Sequence, residues 1–168
     1  MIQSVRDNLG FDTSVQYCTV KTIQWCMEGG VMLVVGWIAG IVLLIVAGVH
    51  VVWMFSPWPF RTVEEFARKV LGVESDQLPS RALTALVVVL LVAAAYLVTA
   101  KAGIVPAVGP TWMVAVGTAG VATVLLLRAA RGFVQSSRAD SAFARLDLRV
   151  YAPLCVALGG ACLAVAIG

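Results

Sequence analysis

The chain has 168 residues, of which 61% are hydrophobic and 12% charged, with a net charge of +3. Soluble domains average about 45–50% apolar and about 25% charged residues. With a mean hydropathy of +0.95, this composition excludes a soluble globular domain, a disordered chain and a disulfide-knotted secreted domain. It is that of an integral membrane protein, and the length leaves no room for a soluble enzyme domain beside the membrane part.

Residues 1–29 form an N-terminal segment that carries Arg6, Asp7, Asp12, Lys21 and Glu28 and has no compact apolar stretch of the signal-peptide kind. The first membrane helix is therefore expected to serve as its own insertion signal. Asp12, Thr13 and Ser14 are capping candidates for a helix starting near Val15. If that helix continues into the first span, it makes a long projection that needs neighbours to pack against. Cys18 and Cys26 lie eight residues apart, about 12 Å along a straight helix. A disulfide needs Cα atoms within about 7 Å, so bridging them requires a helix break or a second chain.

The first span covers 30–56. It contains Gly36 and Gly40 in a G-x-x-x-G pattern, with Gly48 further along, and Leu43 is expected to face lipid. Small residues of this kind let helix backbones approach closely. The single histidine, His50, stands in the stretch VAGVHVVWMFSPWPF. Ala47, His50, Trp53, Pro57 and Trp58 there resemble the C-terminal end of the light-harvesting β polypeptides of purple bacteria. The resemblance implies a bacteriochlorophyll ligated by His50, and a haem is the related alternative. It covers only Ala47 to Trp58, departs from the family at Ser56, and leaves the other spans without a counterpart. Without a cofactor, His50 is an interfacial residue beside an aromatic belt.

The first loop, 57–81, is expected to hold an amphipathic interfacial helix. Thr62 and Glu65 make a T-x-x-E capping box. Phe60, Val63, Phe66, Ala67, Val70 and Leu71 share a face, and Glu64–Arg68 and Glu65–Lys69 are favourable i,i+4 pairs. Gly72 suits the stop. Arg61, Arg68 and Lys69 are candidates for holding anionic lipid head groups.

The second span covers 82–101 and is followed by a short outer loop, 102–110. The third span, 111–128, carries Gly117 and Gly120. A basic loop, 129–149, follows, and Arg128 and Arg131 at its start are further lipid head-group candidates. The fourth span, 150–168, carries Gly159 and Gly160 together with Cys155 and Cys162, small apolar packing residues. No Asp or Glu falls inside any of these spans, which argues against coupled transport. The runs are apolar on all sides, unlike the alternating strands of a barrel. The expected fold is all-α, with four transmembrane helices in two hairpins.

Nine of the twelve basic residues fall in the first and third loops. The positive-inside rule then places those loops in the cytoplasm and both termini outside.

One His and nine loop or tail carboxylates assemble no catalytic set, and no metal pattern is present. The expected function is a non-catalytic structural subunit of a larger membrane assembly: a secretion, conjugation or pilus-like machine, an energy-transducing complex, or a virion membrane. The alternatives are an antenna or electron-transfer subunit using His50 and a small holin-like pore. Expected partners are membrane lipids and other membrane-protein subunits, identical or different, with no nucleic acid.

Overall fold

The computed structural model describes the backbone of residues 13–71, 80–138 and 141–168, and the side chains of 29–70, 80–138 and 141–168. Asp12 and Gly72 lie outside these residues, as do the side chains of Thr13, Ser14, Cys18, Trp25, Cys26 and Leu71. Among the described residues the chain is all-helical. It has four helical stretches long and apolar enough to cross a membrane: Gly29–Trp53, Arg81–Lys101, Thr111–Ser136 and Ala142–Ile167. This is the architecture of a multi-pass membrane protein.

Helix α1 runs unbroken from Thr13 to Trp53, 41 residues. At 1.5 Å per residue it is about 61 Å long, roughly twice the hydrocarbon thickness of a bilayer. Because it is continuous, Cys18 and Cys26 are about 12 Å apart along its axis, too far for a bridge between them. Helix α2 (Val63–Phe66) is capped by Thr62, whose side chain accepts from the Glu65 N–H at 3.1 Å. It passes into a π-helical turn, Ala67–Leu71. Helix α3 spans Arg81–Lys101 and α4 spans Thr111–Ser136. Helix α5 (Ala142–Leu146), capped by Ser141, enters a second π-helical turn, Asp147–Tyr151, and then α6, Ala152–Ile167.

The last two spans differ from expectation at their basic ends. Helix α4 continues eight residues past Arg128, and the stretch expected as a loop is largely helical from Ala142. The charges that ended the apolar runs do not end the helices, because Arg and Asp are tolerated in a helix wherever they find partners.

Packing is dense where side chains are small. Helix α1 lies on α3, and α4 on α6; α3 also meets α4, and α1 meets α6. Between α1 and α3, a Cβ at Gly40 would stand 2.6 Å from Thr99 Cγ2, and one at Gly36 would collide with Ala102 Cβ. Between α4 and α6, a Cβ at Gly159 would come 2.8 Å from Leu126 Cγ. Between α3 and α4, one at Gly117 would come 3.0 Å from Leu97 Cδ1. The core at the centre comprises Ala39, Leu43, Ala94, Ala95, Val98, Ala122, Leu158, Cys162 and Val165. Leu43 is thus a core residue at 1% exposure and not the lipid-facing side chain expected of it. Positions 39, 43 and 47 share the α1 stripe that faces the bundle. Thr118 is fully buried; its Oγ1 lies 2.8 Å from Val114 O on its own helix and 3.2 Å from Leu97 O on α3.

Helix α3 ends in a Schellman motif. Ile104 N–H donates to Thr99 O at 2.9 Å and Gly103 N–H to Ala100 O at 3.1 Å. Gly103 takes φ +76°, the left-handed conformation that glycine adopts without a Cβ penalty.

Candidate functional site: a buried ion pair between two spans

Arg128, Gly132 and Ser136 recur every four residues and so share one face of α4. That face meets Asp147, the first residue of the second π-helical turn. Arg128 Nη2 donates to Asp147 Oδ1 at 2.8 Å, and Ser136 Oγ donates to Oδ2 at 2.7 Å. The Asp147 side chain is 1% exposed and that of Arg128 is 42% exposed. The carboxylate is therefore buried with both oxygens engaged, while the Arg128 side chain stays partly exposed. Gly132 makes the approach feasible. A Cβ there would stand 2.7 Å from Asp147 Oδ2, 2.8 Å from Arg128 Nη1 and 3.3 Å from Ala152 Cβ.

Asp147 lies within the membrane-length stretch Ala142–Ile167 and Arg128 within Thr111–Ser136. The helical stretch Ala142–Ile167 thus begins before the expected span, 150–168, and takes in Asp147. In the sequence, Arg145, Asp147 and Arg149 interrupt the apolar run, which is the pattern of a loop. The readable signal was on α4, where the small and polar residues Thr118, Ala122, Ala129, Gly132 and Ser136 keep helical spacing beyond Leu127 and are all buried. A buried carboxylate held between two helices makes a candidate site, and π-helical turns are frequent at functional sites.

The other sequence-derived candidates distribute around the same end of the bundle. Lys69 Nζ pairs with Glu65 Oε1 at 2.6 Å and lies 5.7 Å from the Phe60 ring centroid. Arg61 donates its backbone N–H to Glu65 Oε2 at 3.2 Å. The Lys69 hydrogen bond, followed by the Arg61 backbone bond, holds the Glu65 carboxyl below its ordinary value of 4.5. Arg68 is exposed. Arg131 is exposed, with Nε 3.4 Å from Gln135 Oε1. Phe66 and Ala67 are fully buried, and Phe66 meets Trp53 edge-on at 5.3 Å and Phe60 at 6.0 Å. The apolar face of α2 and its π-helical turn therefore meets protein at these two residues.

His50 is half-buried near the end of α1. Its Nδ1–H donates to Val46 O at 2.8 Å. The ring rests 5.1 Å from Trp53, whose Nε1–H donates to Trp58 O at 3.0 Å. Among the glycines, Gly36, Gly40, Gly117 and Gly159 sit at helix contacts, whereas Gly48, Gly120 and Gly160 have no atom within 4 Å of where a Cβ would be. No group of three or more His, Cys, Asp or Glu that could hold a metal ion occurs among the described residues.

The family model described as "Protein of unknown function (DUF3995)" matches residues 43–162. The chain belongs to this family. The DUF3995 region runs from the last quarter of α1 into α6 and contains His50, Arg128, Gly132, Ser136 and Asp147. The first thirty residues of α1 precede it. No curated protein and no solved structure matches the chain.

Proposed function

We propose that this DUF3995 protein is a non-catalytic structural subunit of a larger membrane-embedded assembly, with its basic loops in the cytoplasm and both termini outside. The observation that carries this reading is the length of α1. The apolar stretch Gly29–Trp53 suffices to cross a bilayer, yet the helix begins at Thr13. Those preceding turns extend about 24 Å beyond the apolar stretch. An isolated helix of that length is marginal in water, so it gains its stability by packing against something. The Asp147 cluster supports the same reading. A carboxylate with both oxygens engaged by α4 ties that helix to the segment leading into α6.

The test is purification from the native membrane followed by native mass spectrometry in detergent. The expected result is a stoichiometric complex, of identical or different subunits, that is lost when residues 2–28 are deleted while the remaining chain stays helical. A full-length chain that runs as a lone monomer overturns the reading. Cysteine accessibility checks the orientation: residues 61–81 should be protected from outside reagents and residue 168 should be labelled.

A further inference from the structure

We propose that a groove at the end of the bundle away from the basic loops binds the anionic head group of a phospholipid, with Lys101 as its counter-charge. The groove has a volume of about 410 Å³ and is lined by Ala100, Lys101, Ala107, Thr111, Trp112, Val114 and Ala115. That volume falls in the range of small-molecule sites, about 300–1,000 Å³. The inference is independent of the subunit reading above.

Charge is the first argument. Lys101 is half-buried and makes no hydrogen bond or ion pair among the described residues. The described acidic side chains, Glu64, Glu65 and Asp147, all lie at the opposite end. Of the last carbonyls of α3, those of Val98, Thr99 and Ala100 already accept from Ala102, Ile104 and Gly103 N–H. A partly desolvated cation without a counter-charge is costly, and an anion in the groove removes that cost. The first turn of α4 opens onto the same groove at Thr111, and its cap residue, Pro110, makes no side-chain cap hydrogen bond.

Shape and position supply the second argument. The loop forming one wall is held in place by Tyr96, whose hydroxyl donates to Pro106 O at 3.2 Å and accepts from Val108 N–H at 2.8 Å. The groove is therefore formed before a ligand arrives. Its remaining lining, Trp112, Val114 and Ala115, belongs to the apolar stretch Thr111–Ser136. An occupant with its anion at Lys101 thus places its next atoms against apolar side chains at membrane level. A phospholipid meets both demands, and a soluble anion meets only the first. Trp112, exposed on the rim, is a residue type that favours the head-group layer.

The test uses the full-length chain in mixed nanodiscs of phosphatidylglycerol and phosphatidylcholine. Retained lipid is counted by native mass spectrometry after release into detergent. Wild type should retain phosphatidylglycerol preferentially. Lys101→Gln should lower that preference about fivefold, the effect of one cation near a head group, and Lys101→Arg should keep it. Ala115→Leu, which fills the groove without touching the charge, should lower it as well. The difference between wild type and Lys101→Gln isolates this site from anionic lipid held at the basic end. Unchanged helicity and thermal midpoint in Lys101→Gln show that the fold survives, as expected for a side chain with no partner in the described chain. Equal retention of the two lipids by wild type, or an unaltered preference in Lys101→Gln, overturns the proposal. Displacement of the retained lipid by millimolar inorganic phosphate also overturns it, assigning the groove to a soluble anion.

Discussion

Gly132 stands opposite Asp147 so closely that a Cβ on it would come 2.7 Å from Asp147 Oδ2. The absence of one side chain on α4 is what lets a carboxylate enter between two spans, where Arg128 and Ser136 engage it. Any larger residue at 132 must push α6 away or break the pair.

The two partners should respond unequally to removal. Arg128→Leu strands an Asp147 side chain that is 1% exposed, whereas Asp147→Ala leaves an Arg128 side chain that is 42% exposed. Breaking a buried pair from one side costs about 3–5 kcal/mol. Arg128→Leu is expected near that figure and Asp147→Ala below it, measured by unfolding in mixed micelles. The double variant should be less destabilised than the sum of the singles, because it leaves no orphaned charge. Equal losses for the two singles would show that burial does not set the asymmetry.

Leu43 and Leu44 are adjacent in sequence and opposite in environment, 1% and 51% exposed. Leu43→Ala should destabilise by about 2–5 kcal/mol through the cavity it leaves. Leu44→Ala, on the outer face, should change the unfolding midpoint little. Similar midpoints for both would mean that α1 is rotated from the packing described.

Two glycines on α1 separate folding from association. Gly40→Leu drives a side chain into Thr99 and should disrupt the α1–α3 contact, seen as lost helicity or aggregation on extraction. Gly48 has no neighbour within 4 Å, so Gly48→Leu should leave the monomer intact. If native mass nonetheless shows the assembly lost in Gly48→Leu, then Gly48 faces another chain.

The Glu65 carboxyl, held below its ordinary value of 4.5 chiefly by the Lys69 hydrogen bond, gives a pH prediction with a definite sign. Its folded value is depressed, so its contribution is fully present above the unfolded value and is lost as pH falls through the folded one. Acidification below 4.5 should therefore loosen the Arg61–Lys69 segment, and Lys69→Gln should move the Glu65 titration upward. NMR titration of the Glu65 side-chain carbon reads both effects, and an unmoved titration in Lys69→Gln refutes the cause assigned.

His50→Ala should leave expression and assembly nearly unchanged, because the one hydrogen bond of the ring is local, to Val46 O one turn back. Protein from the native membrane should show no Soret or near-infrared band. A stoichiometric pigment band that vanishes in His50→Ala would establish the antenna alternative.

Hydrophobicity alone determined that this chain is helical and multi-pass. A backbone in hydrocarbon must satisfy its own hydrogen bonds, so four long apolar runs can be little else than four helices. Capping chemistry is equally local, which is why Thr62 and Glu65 were legible as a helix start. The registers at Gly36, Gly40, Gly117 and Gly159 were legible as small residues, but their partners were not. Nothing local distinguishes Gly40, pressed on Thr99, from Gly48, which meets nothing. Nor does local sequence separate Leu43 from Leu44, since lipid and protein core are both apolar and the burial of each depends on helix rotation. The Arg128–Asp147 pair lay furthest from view. Nineteen residues separate its members, and a charge that ends an apolar run is indistinguishable from a loop charge until a neighbouring helix supplies its partner. Only the packing of α6 against α4, with Gly132 between them, decided that Asp147 is buried.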